Sequence, residues 1–335
     1  MTDRHPDRFL IAGLSAGLVI LFVCALLWGE TSLDITDAFR DLLAGRHSIG
    51  AIILGQLRLP RALLAVLIGG TLGLSGAVLQ GYLRNPLADP GLLGVSGGAA
   101  LGAVMTFYTG LSARVALALP AGGLAGALFA VAALIGLVGQ GGTMALLLAG
   151  AALTSFFAAM TSLTLNLMPS PYASFEIMHW LMGSLADRTM THVWLCLPGI
   201  VAGCALMFSV RRTLDALTLG EDVAESLGFR SSGLFGAQMR IVVGAALAVG
   251  SCVAVSGAIG FVGLVVPHLL RPLTGHRPGR LLVPSFLGGA ILLLFADGLA
   301  RVIPTSSELH VGVLTALAGA PLFFWRVIRL KRTGT

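Results

Sequence analysis

A chain of 335 residues that is 56% hydrophobic and 11% charged, with mean hydropathy +0.92, is not an ordinary soluble domain, where about 25% of residues are charged. It reads as an integral membrane protein with little mass outside the bilayer. The net charge of +6 does not point to nucleic acid, because no basic patch is interleaved with aromatics and basic loops are what the cytoplasmic side of a membrane protein shows.

Taken in order, Met1 to Arg8 is short and charged, and the apolar run at 9–28 follows. That run is long and Gly29-Glu30 is a poor cleavage site, so it reads as a first span rather than a removed signal. At about 20 residues per span, further candidates are 60–82, 91–110, 114–138, 143–167, 192–210, 234–256, 258–272, 281–303 and 309–328. The chain is thus expected to be all-α, with about ten membrane helices in one domain covering 1–335. Segment 258–272 is short and holds Pro267, which predicts a half-helix or a strongly tilted one. With a cytoplasmic start both termini lie inside, and the basic residues divide 14 inside against 7 outside, as the positive-inside rule requires.

Between the spans, 30–58 carries Glu30, Asp34, Asp37 and Asp41 and predicts a short amphipathic helix on the outer surface. Segment 168–191 contains Pro169, Pro171, His179, Trp180, Asp187 and Arg188. Its apolar part is too short to span and suits the outer interface, where Trp is at home. The longest inner insertion is 211–233. Within it Leu219–Gly228 predicts a short helix with an acidic first turn, bracketed by glycines; it is either a solvated loop helix or a docking element for a cytoplasmic partner. The turn at Arg84–Pro90 joins two membrane-length segments, and Pro86 and Pro90 forbid a continuous helix through it.

Composition adds two points. Glycine makes up 45 residues, which favours close helix contacts, since small residues let backbones approach. Cys24, Cys196, Cys204 and Cys252 all lie in apolar runs without metal-ligand or redox spacing and read as small buried hydrophobes. A faint internal repeat places Ser75-Gly76-Ala77 at the inner close of one helix and Ser256-Gly257-Ala258 at the outer close of another. Each is followed by a proline-bearing segment, which predicts an inverted repeat of the kind transporters use.

Four segments go beyond composition. They are Leu57-Arg58-Leu59-Pro60-Arg61, the string NPLADPGLLG at 85–94, the string SGAIGFVGLVVPH at 256–268, and the closing pair ADGLAR at 296–301 with ELHVGVLTAL at 308–317. This pattern resembles the permease subunit of binding-protein-dependent ABC importers for iron–siderophores, heme and vitamin B12, over nearly the whole chain. His310 and Gly97 depart from it; the family generally has Pro and Ser there.

The resemblance implies a type II importer fold like that of the vitamin B12 permease. It also implies a homodimer of ten-helix subunits in the inner membrane. Two ATPase subunits would lie below, and a periplasmic or lipid-anchored substrate-binding protein above. It makes Leu219–Gly228 the coupling helix, with Leu219, Gly220, Glu221, Ala224, Leu227 and Gly228 as the residues that meet the ATPase. Ala224 and Leu227, three apart, are expected to share the face that enters the partner's groove. Arg58, Arg61 and Arg301 match positions that dock the binding protein, which suits electrostatic steering of an acidic partner; a local pair of Arg301 with Asp297 is the other reading. Asn85, Leu87, Thr143 and Met144 fall near the cytoplasmic constriction and are the candidate gate. No cofactor or metal is expected in the chain, and ATP belongs to the partner.

Other functional classes fit less well. A secondary transporter needs ionisable groups at mid-membrane, and the helix centres are almost free of them. An intramembrane enzyme needs a nucleophile–base or metal cluster, and the histidines are scattered. The substrate is expected to be an iron complex, siderophore or heme, with vitamin B12 as the alternative. Tyr172, Met160, Met168 and Met182 are candidate contacts to a macrocycle.

Overall fold

The computed structural model describes residues 5–29, 34–115, 117–139, 141–168, 170–230, 236–303 and 309–321. Glu30, Pro169, Glu308, Arg4 and the basic residues Arg326, Arg329, Lys331 and Arg332 lie outside them, as does the end of the last predicted span. The described residues form helices joined by turns, without a strand among them.

The first helix, α1, runs His5–Leu27. The predicted amphipathic helix is present as α2, Ile35–Leu43, and begins where the Asp34 carboxylate accepts the N–H groups of Thr36 and Asp37 at 3.1 and 3.3 Å. The next helix, α3, spans Ile49–Tyr82, eleven residues longer at its start than the sequence predicts. Pro60 suggests a helix start because it lacks an N–H and its ring crowds the carbonyl four residues back. Instead the backbone widens into a π turn over Ile53–Arg58, which removes that conflict and lets one helix continue through the proline. At 1.5 Å per residue α3 is about 51 Å long, against a hydrocarbon core of about 30 Å.

The remaining helices are α4 (Val95–Tyr108), α5 (Ala118–Val138), α6 (Thr143–Asn166), α7 (Pro171–Leu181), α8 (Met190–Ser209), α9 (Arg211–Leu217), α10 (Glu221–Ser226), α11 (Ala237–Ser256), α12 (Val262–Leu270), α13 (Pro278–Val302) and α14 (Val311–Pro321). Among the described residues α1, α3, α5, α6, α8, α11 and α13 are long and apolar enough to cross a bilayer. With the shorter apolar helices α4, α12 and α14 they make ten membrane elements. Helix α12 covers only about 14 Å, so it is a half-helix and cannot span by itself.

Small residues set how closely the helices approach. Helix α3 is buried along most of its length and packs on α13, α12, α8 and α11. Its Gly69 and the Gly289 of α13 meet backbone to backbone, so that a Cβ on either would overlap the other's carbonyl oxygen. Helices α4 and α5 cross in the same way, Gly98 and Gly102 against Gly126 and Gly122. The glycine content therefore serves helix contact, as its abundance predicts.

The two SGA strings are not equivalent in place. Ser75–Ala77 lies inside α3, where Gly76 faces the backbone of Gly263, whereas Ser256 ends α11. The chain then runs irregularly from Gly257 to Phe261, both at positive φ. Non-helical backbone inside the bundle needs partners. Here the Ser184 N–H donates to the Ser256 carbonyl at 2.8 Å, and the Gly312 N–H donates to the Gly183 carbonyl at 3.2 Å. The loop before α8, the break before α12 and the start of α14 are thereby stitched together.

Candidate functional site

The antiparallel pair α3 and α13 defines two ends. At the expected outer end are Arg58, Arg61, Asp297 and Arg301; at the other are Tyr82 to Pro90, the turn before α6, and helices α9 and α10.

At the first of these ends the three arginines converge on two acceptors. Asp297 is wholly buried on α13, and its two oxygens are taken by different arginines. Arg61 Nε donates to Oδ1 at 2.8 Å and Arg301, one turn along the same helix, donates to Oδ2. The second acceptor is the end of α1, whose last carbonyls have no partner within the helix. Arg58 donates to the Leu26 and Leu27 carbonyls at 2.9 and 3.0 Å, and Arg301 to the Ala25 carbonyl at 3.2 Å. This alters the expectation of three arginines standing open for a partner. Arg58 is buried beneath the end of α1, and only Arg61 and Arg301 are partly exposed. The pairing of Asp297 with Arg301 was legible from their spacing. The pairing with Arg61, 236 residues away, and the capping of α1 were not.

At the opposite end each residue of the NPLADPGLLG string has a local task. The Asn85 side chain accepts the Leu87 N–H at 2.9 Å and closes a turn. The Asp89 carboxylate accepts the Gly91 N–H at 2.8 Å and caps a 3₁₀ turn, Pro90–Leu93. Gly94 follows with φ +75, which redirects the chain into α4, and the Thr154 hydroxyl of α6 donates to the Gly91 carbonyl at 3.2 Å. Burial raises the Asp89 carboxyl above the usual carboxylate range, against the opposing effect of the Gly91 N–H. Asn85 and Leu87 are exposed, as is Met144, with 70% of its surface accessible.

Thr143 is drawn into a polar relay that the sequence did not reveal. Its side chain lies beside the Tyr82 hydroxyl at the end of α3. The Tyr82 hydroxyl in turn reaches Gln238 Oε1 at 3.4 Å, and Gln238 Nε2 donates to the Gly141 carbonyl at 3.2 Å. The relay fastens the turn before α6 to α3 and α11. Tyr82 and Gln238 sit in apolar helices, and only their occurrence near helix ends hinted at a role.

Helix α10 occupies Glu221–Ser226, between Gly220 at φ +111 and Gly228 at φ +85. Its orientation corrects one expectation. Ala224 is fully buried in the subunit, and the exposed apolar side is made by Leu219, Val223 and Leu227, each four residues from the next. The companion helix α9, whose Leu214 and Leu217 are buried, packs against α10. Glu221 and Asp222 remain at the first turn, where carboxylates suit the helix start.

At α7, the rings of Phe175 and His179 lie 4.7 Å apart and those of His179 and His310 4.6 Å apart. Tyr172, Phe175, Met178 and Met182 are exposed along the same segment. Among the described residues no group of three His, Cys, Asp or Glu side chains is placed to hold a metal ion.

Comparison with known proteins agrees in length and in fold. The model of the FecCD transport family matches residues 17–329. The chain is 42% identical over 293 residues to an uncharacterized ABC transporter permease protein, YvrB, of Bacillus subtilis, covering 84% of this chain and 80% of that one. It is 38% identical to the hemin transport system permease protein HmuU of Yersinia pestis, over 99% of this chain and 98% of the other. To the vitamin B12 import system permease protein BtuC of Salmonella typhimurium it is also 38% identical, over 98% of both chains. A solved structure described as an inward-facing conformation of a metal-chelate type ABC transporter superposes with a TM-score of 0.81 at 32% identity, covering 96% of this chain and all of the other.

Proposed function

The chain belongs to the FecCD transport family, and from that premise we propose that it is the permease subunit through which an ABC importer passes an iron complex, siderophore or heme, across the inner membrane. Vitamin B12 is the alternative substrate, supported by an equal identity to the relative named for it. The working unit is two copies of this chain with two ATPase subunits and an external binding protein. ATP is hydrolysed on the partner. The observation that carries the reading is end-to-end agreement: the family match runs over 17–329, and 96% of the chain superposes on a transporter of metal-chelate type.

The geometry supports a division of labour along the bundle axis. Leu219, Val223 and Leu227 offer an apolar ridge to the ATPase, with Glu221 and the flanking Gly220 and Gly228 shaping it. Asn85, Leu87, Thr143 and Met144 form the inner constriction, where exposed apolar side chains part and meet. Arg61 and Arg301 give the outer rim its positive charge for docking, and Arg58 holds the end of α1 against them. Tyr172, Phe175, Met178 and Met182 present an aromatic and thioether surface suited to a flat macrocycle.

The test is reconstitution into liposomes with the ATPase and binding protein. ATP-dependent uptake of a ferric siderophore, hemin or cyanocobalamin is measured in competition. Uptake that proceeds equally without ATP would assign the chain to secondary transport.

A further inference from the structure

At the end of the bundle that carries Arg84, a cavity of about 290 Å³ opens between the end of α3, the loop after α9 and the turn between α12 and α13. Its polar lining is Gln80, Arg84, Thr218, Arg271 and His276, and no acidic side chain lines it among the described residues. Arg271 is half-buried there. One of its terminal nitrogens donates to Gln80 Oε1 at 2.6 Å, while Gln80 Nε2 is anchored on the Gly263 carbonyl at 3.0 Å. Burial lowers the Arg271 pKa, and no carboxylate offsets this. The nearby carboxylate, Asp215, is taken by the Gly279 N–H at 2.7 Å and so caps the start of α13.

Two further facts concern the backbone. Among the described residues four that are not glycine have positive φ, and two of them, Arg84 at 49° and His276 at 59°, line this one cavity. A left-handed residue with a side chain costs about 1–2 kcal/mol, and glycine would occupy either position without strain. Arg84 stands where a helix end ordinarily takes glycine, immediately after α3. The His276 N–H donates to the Arg271 carbonyl at 3.2 Å, so the turn curls over the arginine. Such strain collects where a side chain has a task beyond folding.

We propose that Arg84, Arg271 and His276 form a binding site for a phosphate ester anion. Two guanidiniums and an imidazole arriving from two elements suit the several oxygens of a phosphate better than the two of a carboxylate. The volume corresponds to about ten waters at ~30 Å³ each, which leaves room for an organic substituent on the phosphorus. Basic pockets between membrane helices receive phospholipid headgroups in this manner, and a soluble phosphate ester offers the same chemistry. A ligand there would bridge α3 to the turn before α13, next to the loop that holds α10. The inference does not depend on the proposed substrate.

The test uses the full chain, delipidated in neutral detergent, with binding read by native mass spectrometry and thermal shift. The probes are inorganic phosphate, glycerol 3-phosphate, short-chain phosphatidylglycerol and, as the carboxylate control, glutamate. Binding of the lipid with weak response to the two small phosphates identifies a headgroup site; comparable binding of glycerol 3-phosphate identifies a soluble ester. Arg84→Gln, at an exposed position that leaves the fold intact, should weaken either by about tenfold, the loss of one charge-assisted hydrogen bond. His276→Gly should relieve strain, raising the melting temperature without ligand while lowering affinity. Binding unchanged in Arg84→Gln and Arg271→Gln, equal binding of glutamate, or no binding of any phosphate would overturn the proposal.

Discussion

The buried carboxylate of Asp297 on α13 receives the Arg61 guanidinium of α3 at 2.8 Å, with 236 residues between them in the chain. Together with Arg301 this makes one acid between two bases, and the same Arg301 reaches the end of α1. Three helices are thus fastened at one end, α3 to α13 through Asp297 and α13 to α1 through Arg301. Removing the acid leaves two partly buried cations facing each other. Asp297→Asn should therefore destabilise the subunit by about 3–5 kcal/mol, read as a lower melting temperature in detergent. The variant carrying Arg61→Met, Asp297→Leu and Arg301→Met should recover most of that loss, because a buried ion pair contributes little beyond an apolar replacement of similar size. The same variant separates packing from docking. If these arginines also steer the binding protein, it will be stable yet bind that partner weakly and without salt dependence.

The ridge on α10 gives a second expectation. Val223→Asp and Leu227→Asp should leave the subunit folded, since both side chains are exposed, and should abolish co-purification with the ATPase. Ala224→Glu should behave differently. It forces a charge into the contact of α10 with α9, so it should lower thermal stability even in the isolated subunit. Glu225→Gln should have little effect on assembly. Normal assembly of Val223→Asp would place the ATPase contact elsewhere.

Helix contact supplies a third. Gly289→Val puts a branched side chain against the Gly69 carbonyl. Because the obstacle is backbone, the helices must separate, and the cost should be at or above the ~1–3 kcal/mol of ordinary overpacking. Gly13→Val, at a glycine with open space around it, is the control and should be tolerated. Size-exclusion profiles and melting curves distinguish the two.

Asp89 yields a pH expectation. Its pKa is raised on folding, so the stability it contributes is fully present below the unfolded value near 4 and is lost as pH rises through the folded value. Asp89→Asn keeps an acceptor for the Gly91 N–H and removes the charge. It should flatten the fall in melting temperature as pH rises from about 4 toward neutrality, and leave the variant at least as stable as the parent at neutral pH. A pH profile parallel to the parent's would show that another group carries the dependence.

Much of this architecture could be read from the chain. Long apolar runs separated by basic turns locate helices because the bilayer imposes a length, and proline-rich strings locate turns because the backbone has few ways through them. The apolar run at 60–82 misplaced the start of α3, since a π turn carries the helix through Pro60 from Ile49. The face of α10 was misjudged for a different reason. Over six residues the apolar pattern fits two faces, and the choice lies with α9, which contributes its buried leucines from outside the segment. Likewise the short apolar stretch with Pro267 declared its shortness, but where its irregular approach finds partners depends on Ser184 and Gly312, far along the chain.

Helix α12 has a consequence for how the protein is made. At about 14 Å it is too short to be released sideways into lipid by the insertion machinery. It also stays incomplete until α3 already lies in the membrane and α13 emerges behind it to cover its other side. Residues 257–270 are then expected to stay uncovered on one side until α13 is made, which makes the synthesis of α13 the moment of commitment. A chain ending after residue 272 should leave Leu264→Cys open to an aqueous thiol reagent, while one extended through 302 should shield it; equal labelling of both would show that the half-helix enters unaided.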